Sequence, residues 1–206
     1  MASSPHINLQ NELLNLLAAR KGHFRFESGH HGDLWLEIAP AYIHPHQLRR
    51  FAAELARLLS AHAIEAVCGP LVEGALLAQM VAEEIGAEFY FAEQFTRPDV
   101  GGLYPMGYRI PKTLLRAIAG KRIAVVDDVI NAGSAVRGTC EDLIARGSNL
   151  VAIGALLVLG SPASELAARR GVPLEALTHL ANNSLWEPSS CPLCTAGVTL
   201  EGIGES

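Results

Sequence analysis

The sequence predicts an α/β fold, a mainly parallel sheet flanked by helices with a small N-terminal hood over the strand ends. Three observations lead there. Short apolar, strand-like runs alternate with segments of helical period through most of the chain, the pattern of successive strand–helix–strand units. Leu150 to Leu159 is a continuous apolar run, as expected of a strand buried on both faces. Ile123 to Ala135, IAVVDDVINAGSA, reads as a buried strand ending in two acids, then a small-residue loop, then a helix. At 206 residues, half of them hydrophobic and 18% charged, the chain can close one large core. Residues 1–40 form the helix and hood strands in this reading, and 41–206 form the α/β core with a C-terminal tail.

Taken in order, Leu9, Leu13, Leu14, Leu16 and Leu17 recur at helical spacing and predict a helix over 8–20, ended by Gly22. His23 to Phe26 and Leu34 to Ile38 read as strands around the turn Ser28 to Asp33, with Pro40 breaking the second. Pro45 opens a helix that carries Leu48, Phe51, Ala52, Leu55, Leu58 and Leu59 on one face. Glu65 to Cys68 is a short strand and Gly69-Pro70 a turn. Gly74 to Ile85 is helical, and Glu88 to Phe91 is a strand. Residues 93–112 hold several prolines and glycines with little periodicity, so they read as a long functional or mobile loop. After the acid-ended strand, Val136, Cys140, Leu143 and Ile144 mark a helix. Ala163 to Arg169 is a short helix and Leu177 to Leu180 an edge strand.

The chemistry concentrates in Ile123 to Ala135. Strands of a parallel sheet bind ligands at their C-terminal ends. Asn131, Ala132, Gly133, Ser134 and Ala135 lead into a helix and offer backbone N–H groups and a positive dipole end to a phosphate. Asp127 and Asp128 beside them accept hydrogen bonds from vicinal hydroxyls or help to hold a divalent cation. Phosphate plus vicinal diol describes a ribose 5-phosphate.

This run resembles the phosphoribosyl-pyrophosphate (PRPP) signature of type I phosphoribosyltransferases, with Asn131 where Thr is usual and Ser134 keeping the second hydroxyl. Gly22 to Gly29 with Leu34-Trp35-Leu36 resembles the hood of the orotate phosphoribosyltransferase family. Gly69-Pro70-Leu71-Val72-Glu73-Gly74-Ala75 resembles its pyrophosphate loop, and Gly171 to Leu174 and Cys191 to Leu200 resemble the tail of one branch. The resemblance implies a magnesium-dependent transfer of phosphoribosyl from PRPP to a nitrogenous base, in a homodimer, and the N-terminus, without a basic n-region or signal-peptide core, reads as that of a cytoplasmic protein. It assigns PRPP to Asp127, Asp128, Val129, Ile130, residues 131–135, Glu73 and Gly74. Asp127, Asp128, Arg97 and Arg109 become the catalytic candidates, Trp35, Arg25 and Asn131 the base site. Asp127 and Asp128 would meet magnesium indirectly, through ribose or water.

Departures from the family pattern bear on the base. Glu27 and Glu73 stand where lysines are common, and the 93–112 segment offers only Arg97, Arg109 and Lys112. Gly160-Ser161 replaces Asp-Arg, whose arginine would grip a carboxylate on the base. These departures predict that orotate is a poor substrate, or that it binds through Arg25 in an altered pose. A transferase for another acceptor, and a non-catalytic PRPP sensor, stay open.

Other signals narrow the class. The net charge is −5 with no densely basic stretch, which argues against nucleic acid. No apolar run reaches the ~20 residues of a membrane span, and the N-terminus has no signal-peptide pattern. Cys68 and Cys140 read as core thiols. Cys191-Pro-Leu-Cys194 supplies two of the four ligands of a structural zinc site, and a second pair is expected only from a dimer partner, so turn-forming structure is the preferred role. His30 and His31 read as a solvated turn, and Trp186 as packing.

Overall fold

The computed structural model describes residues 5–98, 102–181 and 184–202. A helix, α1 (Pro5–Leu16), leads into a hairpin, β1 (Ala18–Arg25) and β2 (His31–Glu37). Helices α2 (Ala39–Tyr42) and α3 (Pro45–Leu59) follow. The core then runs β3 (Ala66–Pro70), α4 (Glu73–Ile85), β4 (Glu88–Thr96), β5 (Met106–Arg109), α5 (Leu115–Ile118), β6 (Arg122–Ile130), α6 (Ser134–Ala145), β7 (Asn149–Leu159), α7 (Pro162–Arg170) and β8 (Leu174–Leu180). The tail adds α8 (Pro192–Thr195) and a short strand, β9 (Glu201–Gly202).

Six strands form the main sheet in the order β5-β4-β3-β6-β7-β8. All neighbours pair parallel except β5, which runs antiparallel to β4 at one edge. Alternation along the central strand decides the layers. Ala124 and Val126 face one side with Val67 and Leu156, under α3 and α4. Ile123 and Val125 face the other with Cys68 and Ile153, under α6 and α7. Helix α3 buries Leu48, Phe51, Ala52, Leu55, Ala56 and Leu59, a complete apolar stripe at helical spacing. Each such fully buried Leu or Phe contributes roughly 1.5–3 kcal/mol. Gly86 ends α4 in the left-handed region at φ 76°, sending its N–H back to Ala82 and Glu83.

The parallel α/β core stands as expected, while several boundaries move. The first helix stops at Leu16, and residues 18–22 belong to β1, because pairing with β2 brings Ala18 opposite Glu37 and Lys21 opposite Leu34. Gly22 is therefore no helix stop: it lies inside β1 beside the Phe24 ring, where a Cβ would sit 2.8 Å from that ring. Residues 93–112 are not one irregular loop. Strand β4 continues to Thr96 and pairs Glu93 with Arg109 and Thr96 with Met106, making an arm. β6 carries both acids within it, since β7 pairs it as far as Ile130. Ser134 and Ala135 already belong to α6.

The hood sheet has the order β2-β1-β9, so the tail completes it. An antiparallel bridge between His31 and Trp186, with a 2.8 Å N–H···O bond each way, fastens the tail to the hood a second time.

Candidate functional site

An open cavity of about 880 Å³ lies between the hood and the C-terminal ends of the core strands. Its floor is the end of β6 and the start of α6: Asp127, Asp128, Val129, Ile130, Asn131, Ala132, Gly133, Ser134 and Ala135 all line it. Glu73 enters from the start of α4, and Arg25 and Trp35 from the hood. Gly133 has φ 72° and precedes α6 without any side-chain cap. The first N–H groups of that twelve-residue helix are thus left to an anion.

Asp127 is buried at 8% exposure, and Asp128 donates its backbone N–H to the Asp127 carboxylate at 3.1 Å. Burial, then the charge of Asp128, holds the Asp127 carboxyl well above the usual carboxylate range. Burial raises Asp128 to about 6. Tyr42 sits against the same group. Its phenol is pushed far up by burial and by Asp128, Asp127 and Glu73, and its oxygen is buried without a hydrogen-bond partner among the described residues. Asp127 and Asp128, which burial makes reluctant to ionise, together with Glu73 on the same cavity wall, form a hard-oxygen donor set that suits a magnesium ion and its waters. Gly74 does not line the cavity; it underpins Asp127, because a Cβ there would collide with the Asp127 carboxylate and lie 2.9 Å from Pro70.

Alternation along β1 buries Phe24 and Phe26 and leaves Arg25 exposed on the cavity wall. The Trp35 ring stacks on Phe26, with centroids 6.2 Å apart and 20° between planes, and its indole N–H donates to Glu37 at 3.3 Å. Trp35 therefore packs within the hood while lining the cavity. The two arm arginines are not brought to this place. Arg97 pairs with Glu141 at 3.7 Å, while Arg109 pairs with Glu93 at 3.8 Å and lies over the Phe95 ring. Neither lines the cavity. Ser161 is engaged with its own helix, its hydroxyl donating to the Glu165 carboxylate at 2.7 Å.

No protein-family model matches the chain. It is 32% identical over 180 residues to the orotate phosphoribosyltransferase of Caldanaerobacter subterraneus, covering 87% of each chain. The chain belongs to the orotate phosphoribosyltransferase family. The Thermus thermophilus member is also 32% identical, over 90% of this chain and 94% of its own. Among solved structures, an Aeropyrum pernix orotate phosphoribosyltransferase superposes with TM-score 0.59 at 23% identity, covering 83% of this chain and 93% of that one. An adenine phosphoribosyltransferase from Trypanosoma brucei gives TM-score 0.64 at 16% identity over 87% of this chain and 81% of that one. These likenesses carry the fold.

Several residues of this orotate phosphoribosyltransferase family member escape a reading of the sequence as a site. Glu27 accepts hydrogen bonds from Tyr108 at 2.7 Å and from Ser134 at 3.3 Å, and Gln94 donates to the Tyr108 phenol at 3.1 Å. Tyr108 hides in the Pro- and Gly-rich arm; the alternation of Met106, Tyr108 and Ile110 is the only local signal. The histidine and cysteine expectations are corrected. His31 is no solvated turn residue: it opens β2 and is 5% exposed. The groups that meet Cys191 and Cys194 come from the same chain, His23 and His31, and no dimer partner is needed. The sequence spacing conceals this because 160 residues of fold separate hood from tail.

Proposed function

We propose that this protein is a magnesium-dependent orotate phosphoribosyltransferase. The reaction class, transfer of the phosphoribosyl group of PRPP to a nitrogenous base with release of pyrophosphate, follows from family membership. The observation that carries the placement is the joining of Asp127, Asp128 and the uncapped α6 N-terminus in one cavity beneath the hood.

In this reading the N–H groups of residues 131–135 hold the 5-phosphate. Asp127 and Asp128 accept hydrogen bonds from the ribose hydroxyls and stabilise positive charge that develops on the ring as the bond to pyrophosphate breaks. Glu73 faces the pyrophosphate. The described lining brings five carboxylates (Glu27, Glu37, Glu73, Asp127, Asp128) against one guanidinium, Arg25. A polyanionic substrate therefore needs divalent cations. Magnesium, held by Asp127, Asp128 and Glu73 through water or ribose oxygens, would supply charge neutralisation of the leaving group. Arg97 and Arg109 would join only if the arm swings toward the cavity. Trp35 and Asn131 flank the base, and Arg25 is its available carboxylate partner.

Exposed apolar side chains at Ile43 (73% exposed), Leu71, Val72 and Leu76 support a homodimer, to be measured by light scattering. No helix among the described residues is long and apolar enough to cross a membrane; a cytoplasmic enzyme is the proposed setting.

A pyrophosphate-release assay with PRPP and a panel of bases, with and without magnesium, tests the reading. Orotate-dependent release that needs magnesium is expected. Turnover with another base only would reassign the acceptor, and tight PRPP binding with no turnover on any base would make the protein a sensor.

A further inference from the structure

The hood and the tail meet at four metal-ligating atoms that the transfer reaction does not use. His23 lies on β1, His31 opens β2, Cys191 precedes α8, and Cys194 lies within it. Their ligand atoms all fall within 4.8 Å of one another. His23 Nε2 is 3.1 Å from His31 Nδ1, 3.4 Å from Cys191 Sγ and 3.7 Å from Cys194 Sγ, and Cys194 Sγ is 3.2 Å from His31 Nδ1. We propose that His23, His31, Cys191 and Cys194 form a structural zinc site that locks the hood to the C-terminal tail.

The distances are those of a coordination tetrahedron. Zinc bonds of ~2.3 Å to sulfur and ~2.0–2.1 Å to nitrogen place ligand atoms about 3.3 Å apart for two nitrogens and about 3.6 Å apart for nitrogen and sulfur. The four measured edges lie close to these values. Hydrogen bonding alone does not explain the cluster. His23 Nδ1 is 2.8 Å from the Val198 carbonyl, which can only accept, so Nδ1 carries the proton and Nε2 is a bare lone pair. One lone pair faces three heteroatoms and cannot bond them all; a cation between them takes one lone pair from each. The Val198 contact is also the outer hydrogen bond that fixes a metal-bound histidine's tautomer and ring plane.

The local folding explains why the four arrive together. Pro192 starts a helical turn, so Cys191 and Cys194, three apart, present their sulfurs on one side. The β1–β2 hairpin sets Arg25 opposite His31, which brings His23 and His31 to one end, with ring centroids 5.0 Å apart. The His31–Trp186 bridge delivers the tail beside them. Two imidazoles and two thiolates in a tetrahedron select zinc among the common divalent ions, and all four positions are filled by protein, which is the closed arrangement of a structural site rather than a catalytic one. Its consequence is mechanical: His23 is four residues before Glu27 on the strand that leads to the cavity wall, so the metal would hold the hood over the substrate.

The full-length protein, expressed in zinc-supplemented medium and purified reduced and without chelator, is to be assayed for metal by mass spectrometry. About one zinc per chain is expected, with loss of it in Cys191→Ser/Cys194→Ser and in His31→Ala. Metal-depleted wild-type protein should melt at lower temperature, regain its melting point with zinc, and with cobalt give the intense visible bands of a tetrahedral sulfur–nitrogen site. Less than about a tenth of an equivalent of zinc together with no cobalt bands, or zinc retained by the double serine variant, overturns the proposal. So does a metal-free protein whose two thiols titrate as a disulfide. The wild-type depletion and cobalt readouts stand if a variant fails to fold, and none of these measurements depends on transferase activity.

Discussion

The Tyr108 phenol donates a 2.7 Å hydrogen bond to Glu27, whose other carboxylate oxygen accepts one from Ser134 at 3.3 Å. One side chain of the hood thus holds both the β5 edge of the arm and the first residue of the helix that would receive the phosphate. In the proposed reading Glu27 puts negative charge beside the 5-phosphate, since it accepts a hydrogen bond from Ser134. Two such charges ~5 Å apart repel by about 1 kcal/mol when well solvated and by about 3 kcal/mol at a partly shielded surface. Glu27 is exposed, so the lower figure applies. Glu27→Gln should lower the KM for PRPP by about fivefold, its amide oxygen still accepting from Tyr108 while its N–H donates to the Ser134 hydroxyl in the reversed sense. An unchanged or raised KM would show that Glu27 aids substrate binding.

Gly133→Asp is expected to abolish PRPP binding without unfolding the protein. The position is left-handed, at φ 72°, which aspartate tolerates at a cost of about 1 kcal/mol. A Cβ there meets only the Ile130 methyl at 3.7 Å, so space is not the obstacle. The introduced carboxylate sits at the uncapped helix N-terminus and competes with the phosphate for its N–H groups. Calorimetric titration with PRPP, beside a thermal melt, checks both halves; unchanged affinity removes the phosphate from this loop.

Asp127→Asn and Asp128→Asn should each lower kcat and kcat/KM together, as expected when an interaction made mainly in the transition state is lost. Stability should move the other way. Both acids keep their protons to higher pH in the folded protein than in the unfolded chain, Asp128 to about 6 against an ordinary 3.8. Folding therefore takes up protons between about pH 4 and 6, and stability falls as pH rises through that window. Wild-type protein without ligand should melt higher at pH 5 than at pH 7, and Asp127→Asn should shrink the difference. A melting point that climbs from pH 5 to 7 would contradict the burial of uncompensated charge at this site.

The parts legible in the sequence are those encoded locally. Ile123 to Ala135 announces strand, acids, loop and helix because each step is a composition change over a few residues, and α3 is visible because its apolar stripe repeats every turn. What stays hidden depends on tertiary pairing. Residues 18–22 look helical until β2 pairs with them, and 93–112 looks like a loop until Glu93 meets Arg109. Glu27 is visible as a departure from a common lysine, yet its bonds to Tyr108 and Ser134, 81 and 107 residues away, are not. Cys191 and Cys194 look like half a site because the other half lies in the hood. Arg97 and Arg109 illustrate the reverse failure: positive charge in the right segment does not say which way a side chain turns.

In the proposed reading Arg25 holds the carboxylate of orotate. It is the one cation on the described cavity wall, since Ser161 is engaged with Glu165 and the arm arginines face glutamates. Phe24 and Phe26 are buried behind it, which turns Arg25 outward and removes the ambiguity of which face it takes. A base carboxylate in this acidic cavity needs that guanidinium, and losing one charge-assisted pair costs about 1.5–3 kcal/mol. Arg25→Ala should raise the KM for orotate about ten- to a hundredfold, with the KM for PRPP nearly unchanged. Arg25→Lys should recover part of the loss, because it restores the charge without the bidentate fork. Orotate turnover that survives Arg25→Ala intact would mean that a different cation, delivered by motion of the arm, reads the carboxylate.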